Sequence, residues 1–207
     1  MQFLSNSFVI LWVISFAIYY LVPQKRQWVV LSVASALFYV IGTGGIPVGI
    51  LLTGVSTWLC GMYLKDSFVK QAQALAECAE KEKKKSVKLG FERRRKRAQI
   101  LSFVLNLGFL LGTKYMVVLL PFMQRAGLTT LRSDAFFARV VMPLGVSFYT
   151  LTAIGYLVDV GREQCEAEEN PVKLVLFLAY FPAVTQGPFN RYAKLKTEFE
   201  RAHAFAY

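Results

Sequence analysis

Four long stretches of this chain carry no charged side chain: residues 1–24, 27–64, 140–158 and 174–190. An apolar run of about 18 residues is long enough to cross the roughly 30 Å hydrocarbon core of a bilayer. Four such runs within 207 residues exclude a soluble domain, a disordered chain and a disulfide-rich secreted scaffold. Composition agrees, with 55% hydrophobic and only 18% charged residues, against about a quarter charged in ordinary soluble domains. Membrane β-strands would alternate apolar and polar residues, and these runs do not. The expected fold is therefore all-α: a polytopic transmembrane helical protein of about five to six membrane segments, some of them short or broken.

The net charge of +11 is concentrated. Residues 65–97 hold twelve of the twenty-four Lys and Arg, mixed with five acidic residues. Loops rich in Lys and Arg stay in the cytoplasm, and anionic headgroups attract them. No nucleic-acid-binding motif accompanies the charge, so nucleic acid is not an expected partner. The three cysteines, Cys60, Cys78 and Cys165, form no CxxC pair, and the single histidine is His203. No metal site is expected from this set.

The first span, residues 5–22, ends at Pro23 and is followed by Lys25 and Arg26. It lacks the basic start and small-residue cleavage site of a signal peptide. As one helix, residues 27–64 would be about 57 Å long. Gly42, Gly44, Gly45 and Pro47 supply a break, giving either two short spans or a re-entrant hairpin. Either way Lys25-Arg26 and the basic block share a side, the cytoplasm, and Met1 lies outside.

Residues 68–85 read as a helix at the membrane surface, and Gly90 is expected to break the helical pattern. The block 65–97 is then a cytoplasmic helical loop within one transmembrane domain, 1–207. It is either simply solvated or a docking surface for an acidic partner. Residues 98–120 form the next span, ended by Pro121. Residues 122–139 suit an external interfacial segment, and 142–158 return to the cytoplasm. A Glu-rich loop, 159–173, precedes a last apolar helix that starts at Pro171 and is interrupted by Pro182 and Pro188.

Two segments go beyond composition: MPLGVSFYTLTAIGYLVD at 142–159 and FLAYFPAVTQGPFNRY at 177–192. They resemble the membrane-bound O-acyltransferase family, in the bacterial branch of the alginate O-acetyltransferase membrane subunit and the D-alanyl transfer protein. That branch carries PLG[IV]SF followed by YL[VI]D and then FPxxxxGPxxR, which this chain matches in order. The resemblance covers 142–192 strongly and 1–141 only in composition. It implies transfer of an acetyl or D-alanyl-type group to hydroxyls of an envelope polysaccharide or teichoic acid. The donor would be coenzyme A or a phosphopantetheine carrier protein, with no permanently bound cofactor. An acidic carrier at the cytoplasmic face and an extracytoplasmic acyltransferase are the implied partners, besides the bilayer. The family's chains are longer, and the histidine regarded as catalytic lies well beyond the GPxxR motif. The resemblance therefore implies an N-terminal portion, inactive alone, and no catalytic role passes to His203. The competing class is a non-enzymatic membrane scaffold or transporter component, although transporters more often show intramembrane charges and repeats.

Irregular backbone at membrane depth survives only where protein or water satisfies it. Pro182, Gln186, Gly187, Pro188, Asn190 and Arg191 are therefore expected to line a substrate or donor cavity. Arg191 either holds a donor phosphate or anchors a helix end at the interface. A full span after Pro171 would carry Arg191 away from a cytoplasmic donor, whereas a broken or re-entrant one would not. Asp159 either orients a buried partner or caps the next turn. Ser147, Tyr149, Thr150 and Thr152 suit hydrogen bonds between helices, and Tyr149, Tyr156, Phe177, Tyr180 and Phe181 suit packing.

Overall fold

The computed structural model describes residues 6–43, 47–78, 80–126, 145–183 and 191–200. Among them the chain is helical without strands: α1 (Asn6–Leu21), a short 3₁₀ turn (Gln24–Arg26), α2 (Gln27–Thr43), α3 (Val48–Glu77), α4 (Lys81–Arg125), α5 (Val146–Gly161), α6 (Pro171–Ala179) and α7 (Tyr192–Glu200). The all-α class is thus as expected. One of these helices, Val48–Glu77, is long and apolar enough to cross a membrane, and Phe8–Leu21 and Val146–Gly161 are shorter apolar helices.

Local chemistry sets most boundaries. α1 stops two residues before Pro23, where the residue preceding proline avoids helical geometry. The Arg26 amide then closes a turn onto the Pro23 carbonyl at 2.8 Å. α2 and α3 are separate helices on either side of the Gly/Pro stretch, and Pro47 occupies the N-cap of α3. Gly145 precedes α5 with φ 69°, a left-handed conformation that glycine adopts without a Cβ clash. That requirement explains the glycine of the PLGVS motif. Asn170 caps α6 by accepting from the Val172 amide at 2.9 Å, with Pro171 at the first helical position.

Three boundaries differ from the sequence reading. Residues 68–85 do not form one surface helix, because α3 runs unbroken to Glu77 and a separate helix, α4, starts at Lys81. Gly90 does not break α4, which continues for 45 residues, about 68 Å. A helical glycine costs only about 1 kcal/mol relative to alanine, too little to interrupt so long a helix. Pro121 does not end α4 either; it removes one backbone donor, and the helix resumes, with Ala126 bonding Phe122 at 3.0 Å. Residues 127–139 of the expected external segment lie outside the described residues.

α3 is the central element and packs against α4, α5 and α6; α6 also lies against α2, which carries α1. Small residues at four-residue spacing, Gly49, Thr53, Thr57 and Gly61, are all buried on α3. A Cβ on Gly49 would come within 2.6 Å of the Tyr149 hydroxyl, and one on Gly61 within 3.3 Å of the Tyr156 hydroxyl. α3 and α5 therefore run in the same direction. A polar ladder joins α3 to α4: Ser56 bonds Asn106 at 2.9 Å, Asn106 bonds Ser102 at 3.3 Å, and the Cys60 thiol donates to the Ala98 carbonyl at 3.7 Å. Beyond Leu64 the two helices continue together, and Arg95, only 7% exposed, lies 4.0 Å over the Phe68 ring and bonds Gln71. Arg95 thus belongs to helix packing, not to the solvated charge run.

The outer surface is strongly apolar. Leu101, Val104 and Leu105 on α4 are 57–62% exposed, and Val9, Ile10, Val13 and Ile14 on α1 are 51–57% exposed. Contiguous apolar surface of this kind is expected against lipid and is rare on soluble monomers.

Candidate donor-side site

α6 has nine residues, about 14 Å, less than half of the roughly 30 Å core. It ends at Tyr180, two residues before Pro182, and the Ala183 amide closes a turn onto the Tyr180 carbonyl at 3.0 Å. The apolar helix that starts at Pro171 is therefore too short to span. When the chain enters α7 it is back beside the place where α6 began. Tyr192 donates its phenolic O–H to the Glu168 carboxylate, and Lys196 Nζ lies 3.6 Å from the same oxygen. Glu168 stands three residues before Pro171. The segment between Pro171 and Tyr192 is an excursion that leaves and returns at one end of the bundle.

Glu168 organises that end. It is 7% exposed. Its amide donates to the Tyr156 hydroxyl at 2.8 Å, and its carboxylate accepts from the Asn170 amide at 3.0 Å. Burial alone would raise its pKa; the bonds from Tyr192 and Asn170 and the charges of Lys196 and Lys173 outweigh burial and hold it below the usual carboxylate range. The rings of Tyr156, Phe177 and Tyr192 meet edge to face or tilted, with centroids 4.9–6.4 Å apart. The neighbouring loop is fastened to α3 by Lys65, which pairs with Glu169, and by the Trp58 indole, which donates to the Glu169 carbonyl at 3.0 Å. This end of the bundle is thus level with Lys65, where the basic block begins. In the same loop, burial pushes the Cys165 thiol up to about 11, with the Asp159 charge adding to the effect. A thiol so shifted is a poor nucleophile near neutrality.

Arg191 is exposed at the entrance to α7. It lines a cavity of about 450 Å³ together with Thr152, Tyr156, Asp159, Phe177 and Tyr192. The two conspicuous motifs therefore meet here, the first through Thr152–Asp159 and the second through Phe177 and Arg191–Tyr192. Pro182 is placed elsewhere, on a cavity against α1. Gln186, Gly187, Pro188, Asn190 and His203 lie outside the described residues. Asp159 faces the cavity, and its carbonyl accepts from the Gln164 amide at 2.9 Å. Thr152 bonds its own helix at Phe148, 2.8 Å away, while the Tyr149 and Thr150 hydroxyls are buried without a partner among the described residues. The expected hydrogen bonds between helices are not made by these three side chains. Sequence reasoning missed Glu168. The available signal was its position just before Asn170-Pro171, a helix start that brings any preceding carboxylate close to α6.

Two motifs that resemble membrane-bound O-acyltransferases reach one cavity beside a short helix, and the relatives that the chain matches support that likeness. The relatives it matches are more particular. It is 28% identical over 206 residues to the probable alginate O-acetylase AlgI of Pseudomonas syringae pv. tomato, covering 98% of this chain and 36% of the relative. With the protein of the same name from Pseudomonas putida it shares 29% over 206 residues, 98% of this chain and 38% of that one. A shorter match, 37% over 65 residues, links it to the protein of that name from Pseudomonas aeruginosa, covering 31% of this chain and 12% of the relative. The chain thus spans just over a third of the length of the relatives it matches along its whole course. No family model and no solved structure matches it.

Proposed function

We propose that this chain forms the donor-side part of a membrane O-acyltransferase that passes an acetyl group to a hydroxyl of a cell-envelope polysaccharide. A D-alanyl-type group is the second acyl class that the motifs allow. In this reading the bundle sits in the bacterial cytoplasmic membrane, with five to six crossing or partly crossing segments, Met1 outside and 65–97 in the cytoplasm. The acyl group arrives as a thioester of coenzyme A or of a phosphopantetheine carrier, whose acidic surface the basic helices attract. An extracytoplasmic acyltransferase is the further partner. The acyl carbon leaves the thioester sulfur and forms an ester with the acceptor oxygen, and the hydroxyl proton ends on the released thiol.

The observation that supports this reading most is the return of Arg191 to the Lys65 end of the bundle. A fully spanning helix would have carried Arg191 to the opposite side, away from a cytoplasmic donor. At its actual place the guanidinium borders a cavity walled by aromatic rings and can fork onto a phosphate of the donor. No residue of the chain is assigned as general base.

The test is Arg191→Lys in the full chain in its native membrane. Acyl incorporation into envelope polymer, normalised to folded protein, should fall about ten- to hundredfold, the value of one charge-assisted contact felt in the transition state. Lysine snorkels as well as arginine, so near-normal transfer by the Lys variant would make Arg191 an interface anchor and overturn the reading.

A further inference from the structure

The helical glycines of the bundle are of two kinds. A Cβ on Gly49, Gly54 or Gly61 would come within 2.6, 2.7 and 3.3 Å of side-chain atoms of Tyr149, Val175 and Tyr156 on the neighbouring helices. Close packing accounts for those three. Gly155, inside α5, is different: among the described residues no atom lies within 4 Å of the place its Cβ would occupy. Its φ is not positive either. Alanine is the better helix former, so neither packing nor backbone conformation calls for glycine here.

What Gly155 faces is the cavity of about 450 Å³ that Arg191 borders. Leu151, Gly155 and Asp159, at four-residue spacing, lie along its α5 wall, and Phe177 and Arg191 stand across from them. From Asp159 to Leu151 that wall is about 12 Å long at 1.5 Å per residue. It leads away from the Lys65 end, because α5 runs in the same direction as α3. Gly155 is its midpoint. A chain that enters between Asp159 and Arg191 therefore passes bare backbone at Gly155 before it reaches Leu151, which is 46% exposed. A glycine lets a ligand approach the backbone closely.

We propose that Gly155 sets the width of this cavity for the pantetheine arm of the acyl donor, with the arm's phosphate at Arg191, its extended amide chain along Gly155 and the thioester towards Leu151. Coenzyme A and a phosphopantetheine carrier share that arm. The inference rests on the acyltransferase reading above and adds to it the residue that decides what passes.

Acyl transfer by the full chain in its native membrane, measured against the concentration of acetyl-coenzyme A and, separately, of an acetylated phosphopantetheine carrier protein, tests it. Gly108→Leu is the control, because a Cβ there also meets open space but on the exposed face of α4. Gly155→Ala, Gly155→Leu and Gly108→Leu should all accumulate as folded protein at the unaltered level. A single methylene in a pocket shifts discrimination by about tenfold or more, so Gly155→Leu should raise KM at least that much for whichever compound serves as donor. Gly155→Ala should change KM little and Gly108→Leu not at all. As a readout independent of transfer, Gly155→Cys should react with a small methanethiosulfonate reagent beyond the level of the unaltered chain, and the donor should slow that reaction. An unchanged KM in Gly155→Leu, an equal rise in Gly108→Leu, or loss of folded protein in Gly155→Leu alone would overturn the role of Gly155. A Gly155→Cys thiol that reacts but that neither compound protects would overturn the pantetheine assignment. A full chain that transfers acyl groups from neither donor overturns the acyltransferase reading itself.

Discussion

Replacing Tyr192 by Phe removes one hydroxyl and keeps the ring that packs on Tyr156 and Phe177, so it isolates the bond to Glu168. That bond reaches a carboxylate that is 7% exposed and otherwise held by the Asn170 amide at 3.0 Å and by Lys196 at 3.6 Å. A hydrogen bond to a charged group is worth about 1.5–3 kcal/mol, and the variant should lose stability of that order at neutral pH. The loss should depend on pH in a defined direction. Glu168 has a folded pKa below its unfolded value of about 4.3. Its contribution is therefore complete above the unfolded pKa and disappears as pH falls through the folded one. In the variant, burial is less opposed and the folded pKa rises, so the stabilisation is smaller and fades at higher pH. Thermal unfolding of the reconstituted full chain, followed by tryptophan fluorescence between pH 7 and pH 4, should show a Tm lowered by several degrees at pH 7. The gap to the unaltered protein should narrow towards pH 4. Equal Tm values at pH 7, or a gap independent of pH, would refute the role given to Glu168. Because α7 begins at Tyr192, the same variant should also reduce acyl transfer per folded molecule.

Other consequences follow from the packing and the topology. Tyr149→Phe removes a fully buried hydroxyl that has no partner among the described residues; it should stabilise the bundle by about 1–3 kcal/mol, and a lowered Tm would show that the hydroxyl is bonded. Gly54→Leu places a Cβ 2.7 Å from Val175 Cγ2 and should cost about 1–3 kcal/mol through overpacking. Combining it with Val175→Ala should recover part of that loss, and strictly additive costs in the double variant would contradict the contact. Ser86→Cys, on the exposed basic surface of α4, should resist a membrane-impermeant thiol reagent in intact cells and react after permeabilisation. Labelling from outside would reverse the orientation.

What was legible in the sequence depended on how local its cause is. Pro23, the Gly/Pro stretch at 42–47 and Asn170-Pro171 act on the backbone directly, and each lies at a helix boundary. Gly90 and Pro121 exert the same kind of local pressure and are overridden, because a deficit of one glycine or one donor is small beside the remaining backbone hydrogen bonds of a 45-residue helix. The fold class could be read because apolar runs report the solvent they face. The centre of the site could not be read in the same way. Glu168, Tyr156, Tyr192 and Lys196 are spread over 41 positions, and no spacing rule joins them; their meeting depends on α6 being too short to cross. Pro182 foretold a broken helix, but only the bonds from Tyr192 and Lys196 back to Glu168 show that the chain returns to the end it left. That return connects the two motifs physically. α5 delivers Thr152, Tyr156 and Asp159 to the cavity from one direction, and the excursion delivers Phe177, Arg191 and Tyr192 from the other. Glu168 ties the two together, its amide donating to Tyr156 and its carboxylate accepting from Tyr192 beside Lys196. The position of Arg191 is thus determined less by its own surroundings, which are exposed, than by the bond that its neighbour Tyr192 makes to the buried Glu168.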